Sequence, residues 1–157
     1  MTGVQTCALP ILKKVFENDI VTEHLDCCVW ITVSKSYKME ELLRNMIEQL
    51  YKAKKQSIPV ETDTMGQTPL MEQIRLYLYE HRYVVVFDDV WKKEFWDCIE
   101  LALPKNEKGS RILITSRNED VAPSNYLYKL PILPLEKAWE LFCKKVFQHE
   151  GGFAPLS

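Results

Sequence analysis

Apolar residues in this chain fall into two patterns, short unbroken runs and repeats at helical spacing. Cys28-Val29-Trp30-Ile31-Thr32-Val33 is a run rich in β-branched and aromatic residues, closed by Ser34-Lys35-Ser36. It predicts a buried strand followed by a polar turn. Met39, Leu42, Leu43, Met46, Ile47, Leu50 and Tyr51 then recur at helical spacing. They predict a helix over 37–53, with Ser36 as N-cap and Glu40 and Glu41 in the first turn. Residues 54–67 are polar, contain Pro59 and Gly66, and read as a loop. Thr68-Pro69 supplies a cap and a first-turn proline for a helix over 68–81. Leu70, Ile74, Tyr77 and Leu78 share one face of it, and His81 and Arg82 close it.

The next run, Tyr83-Val84-Val85-Val86-Phe87, has no polar alternation, the mark of a parallel strand covered on both faces. Asp88-Asp89 follow it directly. A short helix is expected over 94–103, stopped at Pro104, and a turn over 105–109. Arg111-Ile112-Leu113-Ile114-Thr115 predicts a further buried strand, followed by Ser116-Arg117-Asn118. Residues 126–133 read as a last strand, and a helix over 135–148 carries Ala138, Trp139, Phe142 and Val146. Helices alternating with such strands imply an α/β sandwich around a parallel sheet. Its strands lie near 28–33, 83–87, 111–115 and 127–132. In open sheets of this kind ligands bind outside the carboxyl ends of the strands. Asp88, Asp89, Thr115, Ser116 and Arg117 fall there.

Composition narrows the picture. The 157 residues suffice for one compact domain, and 46% apolar with 27% charged residues is ordinary for a globular chain. A net charge of -2 offers no basic field for nucleic acid or membrane surfaces. No apolar run reaches membrane-spanning length, and the N-terminus lacks the basic region of a secretory signal. The five cysteines make no CxxC pair, so reduced thiols in the cytoplasm are expected. His24, Cys27 and Cys28 lie close together, but a structural zinc takes a second ligand pair that the sequence does not supply. Cys27 and Cys28 read instead as small apolar residues entering a strand.

An apolar strand ending in two carboxylates suits a hydrated Mg²⁺ held against nucleotide phosphates. The second carboxylate then orients or activates water. Strand-end aspartates also occur for turn reasons alone. Arg117, after a buried strand, suits paired hydrogen bonds to a terminal phosphate; the plainer alternative is a loop arginine paired with Asp120.

Four blocks, in order, resemble the nucleotide-binding (NB-ARC) domain of plant intracellular immune receptors. They are Val29-Trp30-Ile31-Thr32-Val33-Ser34, Tyr83-Val84-Val85-Val86-Phe87-Asp88-Asp89-Val90-Trp91 and Gly109-Ser110-Arg111-Ile112-Leu113-Ile114-Thr115-Ser116-Arg117. The fourth is Tyr128-Lys129-Leu130 with Leu133-Pro134-Leu135 and Trp139-Glu140-Leu141-Phe142. The resemblance implies a P-loop-NTPase-like three-layer sandwich over 12–133 and the start of a helical subdomain over 134–157. It implies a slow Mg²⁺-dependent ATPase acting as an ADP/ATP switch. Asp88 is then the metal residue, through water, and Asp89 assists hydrolysis. Arg117 senses the γ-phosphate, with Thr115 and Ser116 beside the nucleotide. Implied partners are the other domains of a receptor and a pathogen effector or guarded host protein.

The sequence departs from that family at one decisive element. A phosphate loop needs G-x-x-x-x-G-K-[ST], and the five glycines, Gly3, Gly66, Gly109, Gly151 and Gly152, form no such motif. Lys13 and Lys14 follow no glycine-rich loop. Residues 1–11 resemble no part of the domain and are expected to be foreign to it, and the family's later helical motifs are expected beyond Ser157. Weak nucleotide affinity follows as an expectation. Two other readings stay open: a protein-interaction fragment that binds no nucleotide, and a phosphoacceptor receiver domain. The receiver reading is weakened because its acidic pair should follow the first strand.

Overall fold

The computed structural model describes residues 22–121 and 134–146, together with Lys13, Lys14, Phe16, Asn18 and Tyr128. The chain divides into two compact units. The larger, residues 13–127, contains β1 (Cys27–Thr32), α1 (Met39–Ala53), α2 (Gln67–Tyr79), β2 (Tyr83–Val90), α3 (Lys93–Ile99) and β3 (Arg111–Ser116). Short 3-10 turns stand at Val60–Asp63, Glu100–Ala102 and Glu119–Val121. In the other unit, α4 (Leu135–Val146) is amphipathic, and Lys137 and Lys144 flank Glu140 along it. The two lysines hold the Glu140 carboxyl down to about 2.

The strands form one parallel sheet in the order β1-β2-β3. Cys27 pairs with Tyr83 and Val84 with Arg111. One face carries Val29, Ile31, Val85 and Phe87 against the buried stripes of the helices, Leu43, Met46, Ile47 and Leu50 of α1 and Leu70, Ile74 and Leu78 of α2. Each such fully buried aliphatic side chain contributes about 1.5–3 kcal/mol. Phe95 of α3 closes this core with edge-on contacts to Tyr37 and Phe87. On the opposite face Phe16, in a helical segment, meets Trp30 edge-on at 5.4 Å. The parallel three-stranded sheet with its helices is the α/β fold expected from the apolar runs.

Polar side chains fix the amino end of the sheet. Tyr83 donates its hydroxyl to the Pro104 carbonyl at 2.6 Å, and its N–H reaches Ser110 Oγ. Asn106 donates to the Leu78 and His81 carbonyls. Gly109 adopts φ +80 beside the Arg82 side chain, a left-handed turn that a side chain would strain.

Several boundaries differ from expectation. α1 starts at Met39 after Lys38, and neither Ser36 nor any other side chain caps it; Lys38 instead pairs with Glu41 at 2.9 Å. α2 starts one residue before Thr68, after Gly66, and Pro69 sits inside its first turn, where no intrahelical N–H partner is lost. The loop over 54–67 contains a 3-10 turn, held by Arg44 donating to the Thr62 and Met65 carbonyls. Of the expected strand over 127–132 only Tyr128 is described, exposed and in no regular element; the rest lies outside the described residues.

Candidate functional site

The largest departure concerns the two carboxylates. Asp88 and Asp89 do not follow β2; they are part of it. Phe87 pairs with Ile114 and Val90 with Ser116, so two residues of β2 face the single residue Thr115. This is a β-bulge, uncommon between parallel strands. Asp89 takes φ +59, a left-handed conformation that aspartate tolerates better than most residues. An apolar run cannot announce a bulge, because the signal lies in φ and not in side-chain polarity.

Thr115 organises the bulge. Its Oγ1 donates to Asp88 Oδ1 at 2.5 Å and accepts the Asp89 N–H at 2.8 Å. One hydroxyl thus orients one carboxylate and the backbone of the next. Asp88 is 4% exposed, and its carbonyl accepts the Val33 N–H, which ties the site to the end of β1. Asp89 is half-buried. Its Oδ1 lies 3.5 Å from Arg117 Nε, and its Oδ2 accepts the Trp91 indole N–H at 3.2 Å. The loop alternative for Arg117, pairing with Asp120, is not what forms; Asp120 bonds through its N–H to Asn118. Ser116 spends its hydroxyl on the loop, donating to the Val90 carbonyl at 2.7 Å and accepting the Asn118 N–H.

All five residues singled out in the sequence therefore meet at the carboxyl ends of β2 and β3. Thr115 and Ser116 do so as organisers of the protein's own groups. Two further residues join them. The Trp91 ring carries the Lys35 ammonium 4.0 Å from its centroid and the Arg117 guanidinium at 4.9 Å. Lys35 was legible only through topology: β1 and β2 are adjacent and parallel, so the loops that follow them are neighbours.

Asp88 suits a hard cation. Mg²⁺ takes one or two carboxylates and completes its shell with water and phosphate oxygens. Among the described residues no group of three or more His, Cys, Asp or Glu could hold a metal by itself. Cys27 faces the core, and burial raises its thiol to about 11, which keeps it protonated. An open groove of about 400 Å³ runs between β1 and α1, lined by Trp30, Thr32, Ser34, Asn45 and Gln49, and includes none of the site residues. No helix among the described residues is long and apolar enough to cross a membrane.

Comparison with known proteins identifies a family. The NB-ARC domain family matches residues 5–152, a span that takes in most of the first eleven residues. Disease resistance protein RPM1 of Arabidopsis thaliana is 37% identical over 139 residues, covering 85% of this chain and 15% of that protein. Disease resistance protein RPP13 of the same plant is 32% identical over 157 residues, covering 95% of the chain and 18% of the relative. Disease susceptibility protein LOV1, also from Arabidopsis thaliana, is 32% identical over 151 residues, covering 94% and 16%. The chain thus spans less than a fifth of the length of these relatives.

Proposed function

Since the chain belongs to the NB-ARC family, we propose that it is part of the ADP/ATP-binding switch of a cytoplasmic plant immune receptor, and that residues 1–157 by themselves hold nucleotide weakly. The observation that carries the reading is the convergence of Asp88, Thr115, Asp89 and Arg117 at adjacent parallel strand ends. In this reading Asp88 holds Mg²⁺ through water, oriented by Thr115. Mg²⁺, when bound, neutralises phosphate charge. Asp89 orients water once its bonds to Arg117 and Trp91 open. Arg117 then turns to the terminal phosphate, which offers it the paired acceptors that a guanidinium matches. The other receptor domains, and a pathogen effector or guarded host protein, are the partners of the longer protein.

Weak binding by these residues alone rests on the missing G-x-x-x-x-G-K-[ST] motif. A polyphosphate is held chiefly by backbone N–H groups at a helix N-terminus and by the loop lysine. Carboxylates repel phosphate unless a metal intervenes. The same absence favours a second reading, a protein-interaction fragment that binds no nucleotide.

Isothermal calorimetry with ADP and Mg²⁺ separates the two. The chain is compared with a version carrying a grafted family-type strand and phosphate loop, and with that version bearing Asp88→Asn. Binding by the graft, lost with Asp88→Asn and absent from the unmodified chain, is expected. Micromolar binding by the unmodified chain overturns the weak-binding claim. Binding by neither version favours the interaction fragment.

A further inference from the structure

Three charged side chains, one from each loop or strand end at the site, converge on Trp91. Asp89 accepts the indole N–H, while Arg117 and Lys35 lie over the ring. Asp89 and Arg117 also pair with each other. Trp91 therefore touches both members of one ion pair, by two different interactions. An exposed ion pair alone contributes little and does not hold an arginine in one place. Arg117 and Asp89 are both partly open to solvent, with side-chain exposures of 47% and 31%. The ring changes that balance, because a guanidinium over an aromatic face is attracted by the negative face of the ring. The indole N–H adds a second donor to Asp89 and fixes the carboxylate that faces Arg117.

We propose that Trp91 is the positioning residue for Arg117: its ring carries the guanidinium, and its N–H holds the carboxylate that pairs with it. Lys35 shares the ring from the β1 side. Its positive charge opposes any further movement of Arg117 toward β1, so the arginine stays over the end of β3. The placement of Arg117 rests on these contacts within the protein. Its use as a phosphate sensor does rest on the function proposed above.

The experiment follows the side-chain Nε–Hε signal of Arg117 by ¹H–¹⁵N NMR of the whole chain without nucleotide, assigned with Arg117→Lys. A proton over an indole face is shifted upfield by the ring current, and one in an ion pair exchanges slowly with water. In Trp91→Leu the signal should move downfield to the position of free arginines and broaden through exchange. In Trp91→Phe the ring remains and the N–H is lost, so the upfield shift should persist while exchange quickens. An Arg117 signal unchanged in a folded Trp91→Leu chain overturns the proposal. If Trp91→Leu does not fold, Trp91→Phe decides: loss of the upfield shift, or unchanged exchange, overturns it. Calorimetry with ADP and Mg²⁺ on the loop-grafted chain tests the switch separately. Failure there together with a displaced Arg117 signal removes the sensor role and leaves the positioning role standing.

Discussion

The side-chain amide of Gln49 hydrogen-bonds both main-chain groups of Trp30, accepting its N–H at 2.9 Å and donating to its carbonyl at 2.8 Å. A residue of α1 thus bonds the edge of β1 that pairs with no strand among the described residues. Asn45, one turn earlier, accepts the second amide hydrogen at 2.7 Å and fixes the rotamer. Exposed strand edges template association with other chains, and natural sheets cover or blunt them.

Gln49→Ala should therefore destabilise the chain by about 1–3 kcal/mol, the cost of leaving partly buried polar groups unpaired. It should also promote self-association. Urea unfolding measures the first effect, and sedimentation velocity at rising concentration the second. A variant as stable and as monomeric as the parent would falsify the edge-guard role.

Thr115 serves both carboxylate positions, so its hydroxyl matters more than its volume. Thr115→Val keeps the shape and removes the donor to Asp88 and the acceptor for the Asp89 N–H. A loss of about 1–3 kcal/mol is expected on the same ground. Thr115→Ser should recover most of it. Equal stability of the valine and serine variants in denaturant titrations speaks against the hydroxyl.

Asp89→Asn and Asp89→Val both remove the charge that faces Arg117. They differ in the backbone: asparagine accepts left-handed φ, and a β-branched residue does not. Valine should cost about 1–2 kcal/mol more than asparagine. Differential scanning calorimetry of the pair checks it, and identical midpoints would mean that the bulge relaxes at no cost.

Cys27 sets an alkaline limit. Burial first of all raises its thiol from 9.0 to about 11. Its folded pKa lies above the unfolded one, so the stability it contributes is complete below pH 9. That stability is lost as pH rises through 11, because the unfolded chain ionises first. Tyr37, Tyr77 and Tyr83 are raised by burial too and add in the same direction. Between pH 8 and pH 10.5 (~2.5 units, within the linkage window) unfolding free energy should fall, and Cys27→Ala should flatten part of the fall. A parallel decline in both chains assigns the effect to the tyrosines.

How much of this was legible follows from where the information sits. The unbroken run Tyr83 to Phe87 fixes a doubly covered strand because burial acts on side chains, and side chains are what a sequence prints. The helical stripes of α1 and α2 are legible for the same reason. The helix starts were not. Ser36 and Thr68 are good caps in isolation, yet both helices begin with no side-chain cap, and Met39 and Leu70 lie buried in their first turns. The meeting of Asp88, Asp89 and Arg117 followed from strand order alone. The bulge, and the tie from Thr115 to Asp88, needed the register. Trp91 stood in a recognisable block, but its two cations arrive from loops that only the sheet order brings together.

The pairing pattern of the sheet also orders its assembly in time. Joining Asp26 to Arg82, at the start of the β1–β2 pairing, closes a separation of 56 residues, whereas Asp88 and Thr115 lie 27 apart. Loop-closure entropy grows with length, and distant pairings slow folding. β2, α3 and β3 should therefore close first, and β1 should dock onto a surface already made. The carboxylate site belongs to the early half and the Gln49 guard to the late half. Substitutions at Thr115 should then slow refolding, while substitutions at Gln49 chiefly speed unfolding. A folding chain thus builds the end of the sheet that carries its charges before it seals the edge that other chains could reach.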